Sequence, residues 1–164
     1  MMRRLYAVLV SVAALAALAC SSGERAGDRI EVWHGFNEQE TIVLREIVDE
    51  FTAEYERTNG EELEVELIYV SCGDMSTKLR TPALGGLTPD VAFMDSIKVT
   101  DLAFGQALVR LDRLEAFGDR YPSIDAAREE FVGASFDSGV VNRRGERGLY
   151  GLPVQTTTVA LYWN

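Results

Sequence analysis

Between Ile30 and Ala107 strand patterns alternate with helix patterns, and that order restricts the fold to an α/β arrangement whose strands run parallel through right-handed crossovers. Ile30 to Trp33 reads as a short strand. Asn37 follows with Glu40 three positions on, which is the pattern of an N-cap and capping box. Leu44, Ile47, Val48, Phe51 and Tyr55 then recur at spacings of three and four, predicting a helix with one buried stripe, and Asn59-Gly60 supplies its stop. Leu63, Val65, Leu67 and Tyr69 alternate with Glu64, Glu66, Ile68 and Val70, so the second strand is expected to begin half-exposed and end buried. A helix from about Asp74 to Leu84, closed by Gly85-Gly86, leads through Pro89-Asp90 to a third strand, Val91 to Met94. A further helix is expected over Val99 to Ala107.

After Leu111 the pattern loosens. Leu114, Phe117, Tyr121 and Ile124 suggest short helical pieces, and Val140-Val141 faces Leu149-Tyr150 across a polar, Arg-rich tip, which predicts a hairpin. Val154 to Trp163 is rich in β-branched and aromatic residues and reads as a strand that stops abruptly at Asn164. A long apolar edge strand with nothing after it is prone to aggregate, so the chain is expected to be truncated.

The first residues have a different composition. Arg3 and Arg4 precede an apolar run from Leu5 to Ala19 interrupted only by Ser11, which predicts a secretory signal peptide over residues 1–19. The run is shorter than the about 20 apolar residues of a membrane span. Ala17-Leu18-Ala19-Cys20 resembles the lipobox of bacterial lipoproteins, in which the Cys is acylated; Leu18 stands one place later than is usual. Residues 20–28 read as that lipidated Cys20 and a small, polar tether.

Charge and residue counts exclude several functions. The 164 residues carry a formal charge of −10, which disfavours nucleic acid as a partner. With a single histidine, His34, no multi-His metal site can form, and no metal or cofactor is expected. Cys72 has no intramolecular partner once Cys20 is lipidated and reads as a small, half-buried residue after a strand. Ser135 lacks the second glycine of a nucleophile elbow, and no phosphate loop of the GxxxxGK type occurs. No catalytic motif is present.

The strand ends of a parallel sheet open onto a crevice at their carboxyl edge, which should bring His34, Phe36, Asn37 and Glu38 near Met94, Asp95 and Ser96. Such a set of short polar groups, carboxylates and aromatic rings suits a ligand with hydroxyl groups and apolar C–H faces. Each residue also has a plainer reading: Asn37 as an N-cap, Glu38 as a favourable charge at a helix start, Asp95 as a cap of the following helix.

Ile30-Glu31-Val32-Trp33-His34-Gly35-Phe36, then Gly85-Gly86 with Pro89-Asp90-Val91-Ala92-Phe93, then Tyr150-Gly151-Leu152-Pro153 through Leu161-Tyr162-Trp163-Asn164, resembles the family 1 extracellular solute-binding proteins, the sugar receptors of ABC importers. The resemblance implies a periplasmic-binding-protein-like fold: residues 29–152 as a partial amino-terminal lobe, and 153–164 as the first hinge crossing. It also implies that Gln155, Thr156, Thr157 and Thr158 border the inter-lobe cleft, about half of them facing ligand. The function implied is capture of a sugar or polyol outside the cytoplasmic membrane for ABC permease subunits, by a protein anchored through its lipid and performing no chemistry. Without a second lobe the chain would be an inactive or incomplete fragment. The alternatives are a secreted glycoside hydrolase pairing Glu38 with Asp95, and a receptor for a phosphorylated polyol or another solute; the strand-end loops contain no arginine that would favour phosphate.

Overall fold

The computed structural model describes residues 29–80 and 88–156. The signal peptide, Cys20 and its tether, Gly85-Gly86, and Thr157, Thr158 and the remainder of the expected strand to Trp163 lie outside the described residues.

Strands β1 (Arg29–His34), β2 (Glu64–Tyr69) and β3 (Val91–Ala92) form a parallel sheet in the order β2-β1-β3. The register runs from Arg29 opposite Glu64 to His34 opposite Tyr69, so β1 and β2 end level. On the other side Trp33 lies opposite Ala92. Helix α1 (Glu38–Asn59) joins β1 to β2. Its capping box is present: Asn37 Oδ1 accepts from the Glu40 amide at 3.0 Å, and Glu40 Oε2 accepts from the Asn37 amide at 2.9 Å. Gly60, at φ 74°, ends it in the left-handed conformation, as the Asn-Gly pair predicted.

Helix α2 (Cys72–Arg80) follows β2, and a short 3-10 turn at Ser96–Lys98 leads into α3 (Val99–Phe104). Trp33, Val70, Met75, Leu79 and Leu102 form the core between sheet and helices, with Met94 packed against them. Each fully buried large side chain contributes roughly 1.5–3 kcal/mol. Helix α3 stops earlier than its periodicity predicts because Gly105 interrupts it. The amides of Gln106 and Ala107 then turn back to the carbonyls of Ala103 and Leu102, with left-handed Gln106 at φ 62°.

Beyond a 3-10 turn at Leu111–Arg113, helices α4 (Glu115–Arg120), α5 (Ile124–Arg128) and α6 (Gly133–Asp137) precede a hairpin of β4 (Val140–Arg143) and β5 (Glu146–Leu149). The hairpin register sets Val140 against Leu149 and Arg143 against Glu146. Ala127, Phe136 and Leu149 make a second core, packed by Phe117, Tyr121 and Phe131. Gly139 must be glycine, because a Cβ there would stand 2.0 Å from the Gly151 carbonyl oxygen.

Several expectations need correction. β2 does not end fully buried: its last residue, Tyr69, is 65% exposed, and Val70 beyond it is the buried one. Of the predicted α1 stripe only Leu44 is buried, and Ile47 and Phe51 are 56% and 48% exposed, since no described element covers that face. Cys72 is exposed rather than half-buried, because it opens the first turn of α2 at the rim of the sheet. The described start of the expected last strand, Val154, Gln155 and Thr156, is exposed and pairs with no described strand.

Candidate functional site

At the carboxyl ends of β1 and β2 the chain turns away from the sheet and leaves a cleft of about 740 Å³ against the start of α1. His34, Phe36, Asn37 and Glu38 line it together, as the strand-end argument predicts, and Arg45 and Tyr69 complete the wall. Gly35 makes this bend possible. A Cβ there would lie 2.6 Å from Cys72 Sγ and 3.2 Å from the Val70 carbonyl oxygen, so the loop after β1 runs directly against the loop after β2.

His34 is 3% exposed, and its Nδ1 has no hydrogen-bond partner among the described residues. A buried polar atom without a partner costs free energy. Burial, aided by the charge of Arg45, holds the imidazole pKa below its ordinary 6.5. At neutral pH His34 is therefore uncharged and offers a donor at one nitrogen and an acceptor at the other. Its ring sits 5.8 Å from Phe36 and 6.1 Å edge-on from Tyr69, and Phe36 lies 5.1 Å from Phe93. Tyr69 is 65% exposed and presents its ring to the cleft.

The other predicted residues are placed apart. Asn37 spends its side-chain oxygen on the helix cap, leaving its amide protons for other use. Met94 packs against the core beneath Trp33 and does not line the cleft. Asp95 and Ser96 are exposed beside β3, outside the cleft, and Asp95 makes no capping bond to the turn it precedes. Gln155 reaches the start of α1, where its Nε2 donates to Glu40 Oε1 at 3.4 Å, while Thr156 meets the Ser135 hydroxyl at 2.8 Å. Consecutive residues thus contact different elements. Tyr69 and Arg45 are absent from the sequence-based set. Tyr69 could have been found from the level ends of β1 and β2, since it is the residue opposite His34. Among the described residues, no three His, Cys, Asp or Glu side chains converge to hold a metal ion.

No protein-family model matches this chain, and no curated protein is similar to it. Among solved structures it is similar to the Thermus thermophilus maltotriose-binding protein bound with maltotriose, at 22% sequence identity and a TM-score of 0.52. The match covers 75% of this chain and 28% of that one, so the chain spans less than a third of that protein's length. The likeness is one of fold: among the described residues, a parallel three-stranded sheet flanked by helices.

Proposed function

We propose that this chain supplies one wall of a receptor that captures a sugar or related polyol, delivers it to an ABC permease, and performs no chemistry on it. Acylated Cys20 would hold the receptor at the membrane after export. Buried His34, whose Nδ1 has no partner among the described residues and whose ring contacts Phe36 and Tyr69 in a polar-rimmed cleft, carries the reading. Sugars offer hydroxyls that both donate and accept, and C–H faces that stack on rings. Neutral His34, the Asn37 amide, Glu38 and Arg45 suit the hydroxyls, and Phe36 and Tyr69 suit the faces. The fold likeness to a maltotriose-binding protein supports the same class of ligand.

Titration of the ¹⁵N-labelled protein with maltotriose tests it. One wall worth about −4 kcal/mol binds with a Kd near 1 mM, so the titration should run to about 10 mM. Amide shifts are expected around 34–41 and 67–69, and Tyr69→Ala should weaken them several-fold by removing a ring platform. No shifts, or shifts confined to other segments, would overturn the assignment.

A further inference from the structure

A second cleft, of about 500 Å³, opens between the loop after α3 and the tip of the β4–β5 hairpin, away from the strand-end site. Arg110, Arg113, Arg143 and Arg144 line it, with Glu146 and Tyr150. In a chain of net charge −10 this is a local reversal of sign. The four guanidiniums are not equivalent. Arg110 is held on every nitrogen: its Nε donates to both Asp112 oxygens at 3.0 Å, Nη1 to Glu146 at 2.9 Å and Nη2 to the Arg147 carbonyl at 2.7 Å. Arg113 shares the same Glu146 oxygen at 3.0 Å. Among the described residues neither Arg143 nor Arg144 has an ion-pair partner, so the cleft keeps two guanidiniums without counter-charge.

The backbone around the cleft points the same way. Gln106 at φ 62° and Arg144 at φ 54° are the non-glycine residues of the described chain with left-handed backbones, and both line this cleft. Arg144-Gly145 forms the two-residue hairpin turn with both φ angles positive, a place where Asn or Gly is the unstrained choice at the first position. Such strain collects where function holds it. Gly148 contributes as well, since a Cβ there would stand 2.7 Å from Arg110 Nε and unseat that guanidinium.

We propose that this cleft is an anion site that takes a small multivalent oxyanion of the phosphate class, gripped by Arg143 and Arg144, with Arg113 alongside and Arg110 as a fixed wall. Guanidinium forks match oxyanion geometry and form charge-assisted hydrogen bonds. An extended polyanion would be repelled by the acidic remainder of the chain, which selects a compact anion. The site is independent of the sugar cleft, so either can fail alone.

The test is calorimetric titration of the full chain with inorganic phosphate and with pyrophosphate, ionic strength being held constant with sodium chloride. Binding is expected, tighter for pyrophosphate. Arg144→Gly should weaken it about tenfold, the usual effect of losing a hydrogen bond to a charged group, while removing the turn strain and raising Tm slightly. Joint replacement, Arg143→Gln with Arg144→Gln, should abolish it, and Arg57→Gln on the distant α1 should leave it unchanged. Absence of binding above the chloride control, or equal weakening by Arg57→Gln, would overturn the proposal.

Discussion

Helix α1 has 22 residues and buries one of them, Leu44, whereas the three short helices α4 to α6 and the hairpin leave Ala127, Phe136 and Leu149 with 0% exposure. Amphipathic length is therefore not burial. A stripe such as Ile47 and Phe51 is covered only where another layer lies against it, while five- and six-residue helices can close around a single phenylalanine. The difference extends to chemistry. The open half presents an aromatic and polar cleft at its strand ends, while the closed half ties some of its charges into ion pairs, such as Arg110 with Asp112 and Arg128 with Asp137, and leaves Arg143 and Arg144 outside them among the described residues.

The sharpest way to break this contrast is to truncate one phenylalanine in each half. Phe136→Ala should cost about 3–5 kcal/mol and Phe51→Ala less than about 1 kcal/mol, both read from urea denaturation. Equal losses would mean that the α1 face is covered after all. Asp112 comes next. Burial pushes its carboxyl up, but the hydrogen bonds from Arg110 and the Leu149 amide, with the charge of Arg110, outweigh that and hold the pKa below the usual carboxylate range. The unfolded carboxylate binds its proton first as pH falls. The stabilisation is therefore present above the ordinary carboxylate pKa and is lost as pH drops through the lower folded value. Asp112→Ala should cost about 1.5–3 kcal/mol at pH 7, with the gap to wild type closing in acid.

Gly139→Ala should cost about 1–3 kcal/mol because the Gly151 carbonyl occupies the space its methyl needs. Gly118→Ala on α4, where nothing stands within 4 Å, should be neutral or stabilise by about 0.5–1 kcal/mol. Thermal denaturation of the pair separates packing from helix propensity within one half of the molecule. At the α1 cap Asn37→Ala should cost about 1 kcal/mol; a change within error would show that the capping box is redundant in a helix this long.

What was legible in the sequence was local. The Asn37–Glu40 box, the Asn59-Gly60 stop and the Val140–Leu149 hairpin each depend on residues close in the chain, and the structure places all three. The cleft is half legible for the same reason: His34, Phe36, Asn37 and Glu38 are consecutive or nearly so, but Tyr69 joins them only through the β1–β2 register. Asp95 fails to join because β3 is short and the chain turns outward after it. The hairpin's Arg-rich tip is visible as composition, yet its meeting with Arg110 and Arg113 spans more than thirty residues and follows from how the hairpin folds back. Exposure of Phe51 is likewise beyond periodicity, which reports a face and not what covers it.

His34 is the only histidine in the sequence, so its imidazole can be followed alone by ¹⁵N NMR across pH, with and without maltotriose. The account predicts a pKa below 6.5, and a ring-nitrogen shift when the sugar supplies the partner that Nδ1 lacks among the described residues. The unfolded imidazole takes its proton near 6.5 and the folded one only at lower pH, so stability should rise with pH across that interval. An imidazole that titrates at 6.5 or above, and whose ring nitrogens do not move when maltotriose is added, would contradict it.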